Sequence, residues 1–239
     1  MKDSDLEIKF TGEFFVPGQS GDRIEADHVE RYKFASKFAQ GKTVLDIACG
    51  AGYSAPLFIE AGAISYDGVD LNEELVKYSN STYGSDAINY YVGNICSFNN
   101  GKVYDIITCY ETIEHIEQYE AAISNLHNLL NHGGTLLISS PNRPITSPRC
   151  SSLQCKPSNE FHTQEFISEE LLLLLKKYNF SASQDDVFGQ RQRKVFSNRF
   201  VKKLVRNIFG DPDTESSPEL TPVKGGKVPR YFVIVATKK

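Results

Sequence analysis

The feature that most constrains the fold is a short apolar strand that runs into a glycine turn, followed by a second strand that ends in an acid. Residues 43–52 read Thr-Val-Leu-Asp-Ile-Ala-Cys-Gly-Ala-Gly, and Gly68-Val69-Asp70 closes the second segment. Glycine has no Cβ, so a glycine turn bends tightly and lets the backbone approach a ligand. An acid after the next strand can accept hydrogen bonds from two ribose hydroxyls. The pattern is typical of nucleoside binding by a β-α-β unit.

The residues around the glycines narrow the ligand class. A dinucleotide-binding turn reads G-x-G-x-x-G, but Ala55 stands at the third glycine position. Asp46 would repel a pyrophosphate and suits a cationic ligand that carries an ammonium and a sulfonium. The stretch resembles motif I of the class I S-adenosylmethionine-dependent methyltransferases, D-x-G-C-G-x-G, with Ala48 in place of the first glycine. The resemblance implies an enzyme whose cofactor is S-adenosylmethionine.

The alternation of strands and helices predicts an α/β fold with a mostly parallel sheet. Together with the resemblance, it implies a Rossmann-like, seven-stranded sheet with helices on both faces and an antiparallel last strand. Residues 1–42 are predicted to form an N-terminal helical cap, and 43–239 the methyltransferase domain with insertions at about 142–163 and 189–228. Strands are predicted at 43–47, 64–69, 88–92, 104–109, 135–140, 183–188 and 230–236, and helices at 24–40, 53–61, 73–80, 118–130 and 168–178.

Composition limits the partners. The chain has 239 residues, 40% of them apolar, and a net charge of −4. This argues against a surface that wraps duplex nucleic acid. We find no apolar leader and no run long enough to span a membrane, so a cytoplasmic location is expected. Of the five cysteines, Cys49, Cys96 and Cys109 are interpreted as small hydrophobic residues in a reducing compartment, whereas Cys150 and Cys155 flank a loop, where a zinc or disulfide role is the alternative.

Ligands in open α/β sheets gather at the carboxyl ends of the strands. By resemblance, the turn after the first strand holds the amino-acid end of the cofactor, and Asp70 takes both ribose hydroxyls. Asn94 and Ile95 then face the adenine, and Cys109 and Tyr110 the sulfonium. The full set of predicted cofactor residues is Asp46, Ala48, Gly50, Gly52, Asp70, Leu71, Asn94, Ile95, Cys109, Tyr110, Arg31 and Tyr32.

Three further segments suggest the acceptor. Residues 110–118 contain E-x-x-E-H, and 159–165 resemble the N-P-F-H-x-x-E element of methyltransferases associated with O-antigen, polysaccharide and sugar-nucleotide biosynthesis. Gly12–Gly18 with Arg31-Tyr32 resembles the N-terminal element of the same subgroup. The resemblance implies methylation of a hydroxyl, with an amine as the alternative, on a sugar nucleotide or glycan. The partner is therefore a small-molecule or saccharide acceptor.

A sugar hydroxyl is a poor nucleophile, so a general base is expected, and histidine titrates in the right range. His115, one turn from Glu111, is the first candidate and His162 the second; Glu111 completes the predicted catalytic set. His28, His127 and His132 are interpreted as surface residues. No metal is expected in this interpretation.

Two alternatives use the same residues. Glu111, Glu114, His115 and His162 resemble the divalent-metal site of RNA 3′-terminal 2′-O-methyltransferases. A non-catalytic cofactor-binding module is the other. Residues 191–210 are predicted to form a basic amphipathic helix, interpreted as a solvated cap or as a contact with a membrane surface or a lipid-linked substrate. The sequence leaves the oligomeric state open.

Overall fold

A computed structural model describes residues 18–19, 21–194 and 217–239. Its strands are β1 (Thr43–Ile47), β2 (Ser65–Asp70), β3 (Ile88–Val92), β4 (Tyr104–Cys109), β5 (Leu130–Pro141), β6 (Phe180–Ser181), β7 (Val187–Gln190), β8 (Arg193–Lys194), β9 (Thr221–Pro222), β10 (Lys227–Val228) and β11 (Tyr231–Lys238). Its helices are α1 (Asp22–Ser36), α2 (Ala55–Glu60), α3 (Glu73–Tyr83), α4 (Tyr119–Leu129), α5 (Arg143–Thr146) and α6 (Ser168–Lys177). Short 3₁₀ turns cover Ile113–His115 and Gln184–Asp186.

The main sheet confirms the predicted fold class. Its strand order is β3-β2-β1-β4-β5-β11-β7-β9, and β6 pairs with β11. The strands β1 to β5 pair in parallel, whereas β11 lies antiparallel between β5 and β7. The described chain adds β6 and β9 to the seven predicted strands, and β8 and β10 form a separate antiparallel pair. The last strand therefore lies inside the sheet, antiparallel to both of its neighbours.

The sheet is covered on both faces, which is why its central strands are apolar throughout. Successive side chains of a strand point to opposite faces. Leu45 and Ile107 accordingly belong to one core cluster, and Val44 and Ile106 to the other. This alternation places Asp46 on the same face as Val44, beneath the helices α1 and α2.

Two predicted strands begin at other residues. The strand predicted at 135–140 begins at Leu130, directly after α4, because Leu130 pairs with Tyr104 before a register shift. The sixth strand, predicted at 183–188, begins at Val187. Ser183 and Asp186 form a capping box, which makes 184–186 a 3₁₀ turn instead.

The interpretation of the cysteines also requires a correction. Cys150 and Cys155 form a disulfide within the predicted insertion at 142–163, whereas Cys49, Cys96 and Cys109 are free thiols. Since the two partners are five positions apart in sequence, the bond closes a small loop that ends four positions before Asn159.

Several predictions concern residues that the structure does not describe. The element at Gly12–Gly18 lies outside the described residues except for Gly18, and so does the basic amphipathic helix apart from 191–194. Of the predicted cap, α1 packs against α2, but the division at residue 42 stays a prediction. Among the described helices, none has the length and apolar character needed to cross a bilayer.

Candidate active site

A cavity of about 730 Å³ opens where the carboxyl ends of β1, β2, β4 and β5 meet. Most of the predicted site residues line it, and they come from segments far apart in sequence. The predicted residues on its wall are Arg31, Tyr32, Ala48, Gly50, Asp70, Leu71, Ile95, Tyr110, Glu111, His115 and His162. The sheet topology thus brings these eleven residues, most of the predicted cofactor and catalytic set, to one cavity.

The glycine turn after β1 adopts left-handed backbone conformations. Ala48, Gly50 and Gly52 have φ angles of 59°, 56° and 73°. A Cβ added at Gly50 would meet no atom within 4 Å, so this position faces open space. At Gly52 a Cβ would lie 2.6 Å from both Ser79 Oγ and Tyr90 Cε1. Gly50 therefore provides access for a ligand, whereas Gly52 permits close packing behind the turn and does not line the cavity.

Asp70 joins the glycine turn to the end of β2. The Gly50 amide donates to Asp70 Oδ2 at 2.9 Å, and the Asn72 amide donates to Oδ1 at the same distance. Burial raises the pKa of Asp70, although these backbone amides oppose the shift. Because carboxylate oxygens accept more than one hydrogen bond, the side chain can also accept bonds from vicinal hydroxyls. The Asp70 carboxylate is thus a hydrogen-bond acceptor that fits the two hydroxyls of a nucleoside ribose.

Asp46 does not reach the cavity, contrary to the expectation that it holds the ligand. Its carboxylate is fully buried and accepts hydrogen bonds from Tyr32 (3.2 Å), Ser54 (2.7 Å), Tyr66 (2.9 Å) and Thr108 (2.7 Å). Burial raises its pKa, and the four hydroxyls oppose the shift. Asp46 thus ties β1 to neighbouring elements below the glycine turn.

Two further predicted contacts are displaced from the cavity wall. Asn94 is exposed, and its Oδ1 accepts the Cys96 amide at 2.8 Å, so it stabilises the turn after β3. Cys109 is completely buried in the core at the end of β4. Burial raises the pKa of the Cys109 thiol. Ile95 and Tyr110, their neighbours in sequence, are the residues that line the cavity.

Arg31 is a buried cation on the cavity wall, with 2% of its surface exposed. Its Nη1 donates to Gln190 Oε1 at 2.9 Å and lies 3.5 Å from Glu111 Oε1. Its Nε has no hydrogen-bond partner among the described residues. Burial is the largest single effect and opposes the charged guanidinium, but the combined electrostatic contributions of Glu111, Tyr53, Tyr231 and Asp27 outweigh it and raise the pKa of Arg31. A buried donor without a partner costs stability, so the site suits an anionic group of a ligand.

Three side chains on the cavity wall form a cluster: Glu114, His115 and His162. Each offers a metal-ligand atom within 4.8 Å of the others, and the two imidazole centroids are 4.8 Å apart. Glu111 is not in this group. The Glu114 side chain is buried, and its Oε2 has no hydrogen-bond partner within the described ranges. Burial, followed by the charge of Glu111, raises the pKa of Glu114 well above its ordinary value.

Hydrogen bonds orient both imidazoles. His115 Nδ1 lies 2.9 Å from the Phe161 carbonyl oxygen, and His162 Nδ1 lies 2.7 Å from Glu165 Oε1. Burial would raise the pKa of Glu165, but hydrogen bonds from His162, Thr146 and Ser147 lower it. At Nδ1, His162 therefore contacts an ionised carboxylate, whereas His115 contacts a neutral carbonyl.

The sequence interpretation missed some cavity residues. His28, predicted to be a surface residue, lines the cavity 3.3 Å from the Tyr53 hydroxyl, and burial lowers its pKa. A signal existed, because residues three apart share a helix face and His28 precedes Arg31 by three. Tyr231 at the start of β11 also lines the cavity. The centroid of its ring lies 5.3 Å from the guanidinium carbon of Arg31, which stacks over it. No local pattern predicts that contact.

Comparisons with known proteins agree with this geometry. The methyltransferase-domain family matches residues 24–184. A protein of Mycolicibacterium smegmatis, named a probable S-adenosylmethionine-dependent methyltransferase, is 29% identical over 184 residues, which cover 76% of this chain and 68% of that protein. The ubiquinone biosynthesis O-methyltransferase of Coxiella burnetii is 35% identical over 107 residues, or 44% of this chain and 45% of the relative. The matched region spans less than half of that relative's length.

Solved structures share the fold. The S-adenosylmethionine-dependent methyltransferase of Mesorhizobium loti has a TM-score of 0.58 at 13% identity and covers 87% of this chain and 100% of its own. The N-methyltransferase NodS of Bradyrhizobium japonicum, solved with S-adenosyl-L-homocysteine, has a TM-score of 0.57 at 14% identity, with coverages of 90% and 86%. With the family match over more than half of the sequence, the chain belongs to the methyltransferase-domain family and is an S-adenosylmethionine-dependent methyltransferase.

Proposed function

We propose that the protein methylates a hydroxyl group on a sugar nucleotide or glycan, with an amine as the alternative acceptor. The observation that carries this proposal is the pair of imidazoles, His115 and His162, on the wall of the cavity that also contains the glycine turn and Asp70. A hydroxyl must lose its proton during methyl transfer, and a positioned histidine can accept it. The catalytic chemistry and the cofactor site thus share one cavity.

The cofactor supplies an electrophilic methyl group on a sulfonium. In our proposal, Asp70 binds the ribose hydroxyls, and Leu71 and Ile95 contact the adenine. Arg31, with its unpartnered Nε, binds the carboxylate of the amino-acid end, and the adjacent Glu111 binds the ammonium. Glu111 therefore orients the methyl donor. In a displacement reaction, holding the methyl group in line with the attacking atom lowers the barrier.

We assign the general base to His162, although the sequence alone favours His115. When a base accepts a proton, its imidazole becomes a cation, and a carboxylate behind it stabilises that charge. Glu165 provides such a carboxylate for His162. His115 is backed by the Phe161 carbonyl instead, so we assign it to hydrogen bonding with the acceptor.

The saccharide assignment rests on the segment 159–165. Its Asn159, Phe161 and His162 all line the cavity, and the Phe161 ring is 47% exposed. An exposed aromatic face with adjacent polar groups suits a sugar ring, which has apolar C–H faces and hydroxyl edges. The resemblance of this segment to the O-antigen and polysaccharide subgroup supports the same class. The name of the ubiquinone biosynthesis O-methyltransferase relative supports an oxygen acceptor.

One observation favours a second candidate, a metal-dependent methyltransferase acting on the 3′-terminal ribose of RNA. The cluster of Glu114, His115 and His162 combines imidazole and carboxylate ligands, which bind divalent transition ions. The unpartnered Oε2 of buried Glu114 is consistent with a cation nearby. The fourth predicted ligand, Glu111, lies with Arg31 and Ser139 instead.

We also propose that the protein acts in the cytoplasm and has no duplex nucleic acid partner, as its net charge of −4 suggests. Contact of 191–210 with a membrane surface or a lipid-linked acceptor remains part of this proposal, although most of that segment lies outside the described residues.

The experiment is a transfer assay with S-adenosylmethionine labelled in its methyl group. The purified chain is incubated with separate pools of nucleotide sugars, lipid-linked saccharides, phenols, and RNA with a free 3′ end, with and without EDTA. Label in a saccharide pool supports the proposal, and mass spectrometry locates the methyl group on oxygen or nitrogen. Label in RNA alone, abolished by EDTA, would replace it with the second candidate.

A further inference from the structure

We infer that Glu165 is a positioning residue that holds His162 in the Nδ1–H tautomer, so that the Nε2 lone pair faces the acceptor. This inference rests on the proposed transfer to a hydroxyl, and it concerns a residue outside the cofactor and catalytic sets predicted from the sequence. The inference rests on the hydrogen-bond contacts of both imidazole nitrogens of His162.

The Nδ1 side of the ring faces a carboxylate. His162 Nδ1 is 2.7 Å from Glu165 Oε1, and Thr146 Oγ1 donates to the other carboxylate oxygen. Only 1% of Glu165 is exposed. An ionised carboxylate only accepts hydrogen bonds, so the proton between the two groups belongs to His162 Nδ1.

The Nε2 side gives the same answer independently. Asn159 Nδ2 lies 2.9 Å from His162 Nε2, and Asn159 Oδ1 accepts the Phe161 amide at 3.1 Å. The second bond fixes the orientation of the amide, because only its oxygen can accept the Phe161 N–H. The Asn159 NH₂ group therefore donates to Nε2, which must carry a lone pair. An acceptor hydroxyl would replace Asn159 as the donor to that lone pair.

The surrounding segment is fixed against the turn that carries His115. The Thr163 amide donates to the Glu114 carbonyl at 2.9 Å, and Gln164 Nε2 donates to the Ile113 carbonyl at 2.8 Å. Glu114 and His115 are the titratable side chains that face His162 from this turn. These bonds hold the 163–164 backbone without the Glu165 side chain, whose Oε1 contacts His162 while Oε2 accepts from Thr146.

The proton balance is simple. The O–H bond of the acceptor breaks as a new N–H bond forms at His162 Nε2, and Nδ1 keeps its proton. Glu165 stays ionised beside the resulting imidazolium. The Nε2 proton then leaves to solvent, so neither residue is consumed.

Nitrogen-15 NMR of the histidine side chains tests the tautomer in EDTA-treated protein, with His162→Gln used for assignment. We expect a protonated Nδ1 and an unprotonated Nε2 at His162 in the wild-type chain. In Asn159→Ala this pattern should be retained, and in Glu165→Ala/Asn159→Ala it should be lost; the comparison isolates Glu165, because in Glu165→Ala alone the Asn159 amide still donates to Nε2. Glu165→Gln, which keeps the shape and an accepting oxygen, should retain the tautomer. As a matched control, Glu169→Gln changes an exposed carboxylate of the next helix and should leave the spectrum unchanged.

Kinetics separate positioning from a structural role. Glu165→Gln should lower kcat by about 10- to 100-fold, because it removes the negative charge beside the imidazolium, with the KM for S-adenosylmethionine unchanged. A retained tautomer in Glu165→Ala/Asn159→Ala, or a protonated Nε2 in the wild-type protein, would overturn the inference. The NMR result does not depend on any acceptor, so failure of the proposed function leaves this test intact.

Discussion

Ser139 and Glu111 exchange two hydrogen bonds across the ends of β5 and β4. The Glu111 amide donates to Ser139 Oγ at 2.8 Å, and that hydroxyl donates back to Glu111 Oε1 at 2.7 Å. Glu111 has a φ angle of 47°, which is strained for a residue with a side chain. Strained backbone is retained where its surroundings enforce it, commonly at functional sites. The Ser139 pair enforces it here and aims the carboxylate toward Arg31.

Asp70→Ala should weaken binding of S-adenosyl-L-homocysteine by roughly 100-fold, because two hydrogen bonds to a charged group are lost. Isothermal titration calorimetry measures the change. Asp86→Ala, at an exposed position in the turn before β3, is the matched control. Thermal unfolding checks the fold, since Asp70 also accepts the Gly50 and Asn72 amides. Equal affinity in both variants would refute the ribose assignment.

Two alanine substitutions in the glycine turn should behave differently. Both positions have positive φ, which costs about 1–2 kcal/mol with a Cβ present. Gly52→Ala also forces a Cβ against Ser79 and Tyr90, so its loss of stability should be the larger. Gly50→Ala meets no neighbouring atom, and its main effect should be on cofactor affinity. Urea unfolding and calorimetry distinguish the two; a greater destabilisation by Gly50→Ala would contradict the packing argument.

The two histidines should differ in catalysis. His162→Gln should lower kcat by roughly 10²–10⁴-fold because it removes the general base. His115→Gln should cost about tenfold, the value of one lost hydrogen bond. Both variants should bind S-adenosylmethionine as the wild type does. Turnover with the acceptor identified in the transfer assay provides the measurement, and a larger loss for His115 would return the base to that residue.

Glu114→Gln should make stability less dependent on pH. Burial and the charge of Glu111 raise the pKa of Glu114 in the folded state, so the folded protein binds this proton more tightly than the unfolded chain. That contribution is present at low pH and is lost as pH rises above the ordinary value of 4.5. The variant should therefore gain stability over the wild type as pH rises, by up to about 1.4 kcal/mol per pH unit.

Urea titrations of the EDTA-treated proteins at several pH values between 5 and 8 give this difference. Glu117→Gln, at an exposed neighbouring position, serves as the control. A constant offset for Glu114→Gln would show that its carboxylate is ionised without penalty.

Exhaustive chelation should leave methyl transfer unchanged, because the proposed mechanism uses His162 and Glu165 and no metal. Activity is compared before and after EDTA treatment and again after addition of Mn²⁺, Co²⁺ or Mg²⁺. Imidazole ligands favour Mn²⁺ or Co²⁺ over Mg²⁺. Loss of activity on chelation with rescue by Mn²⁺ would establish the metal-dependent candidate instead.

The sequence by itself determined the fold class, the enzyme class and the cofactor. These follow from local patterns: strand alternation, the glycine turn at 48–52, and an acid at the end of the next strand. Such patterns are visible in sequence because backbone conformation and strand burial depend mainly on neighbouring residues. Four residues that the sequence singles out, Asp70, Glu111, His115 and His162, lie on the wall of one cavity.

Only the tertiary structure decided which way each side chain points and what stands behind it. Asp46 follows the expected motif, yet its buried carboxylate accepts hydrogen bonds from four hydroxyls that are 8 to 62 residues away in sequence. The preference for His162 over His115 depends on Glu165 and on the orientation of Asn159. Arg31 meets Gln190 across 159 residues of sequence. These relationships arise because hydrogen bonds in a buried site join groups by their distance in space, which no local pattern encodes.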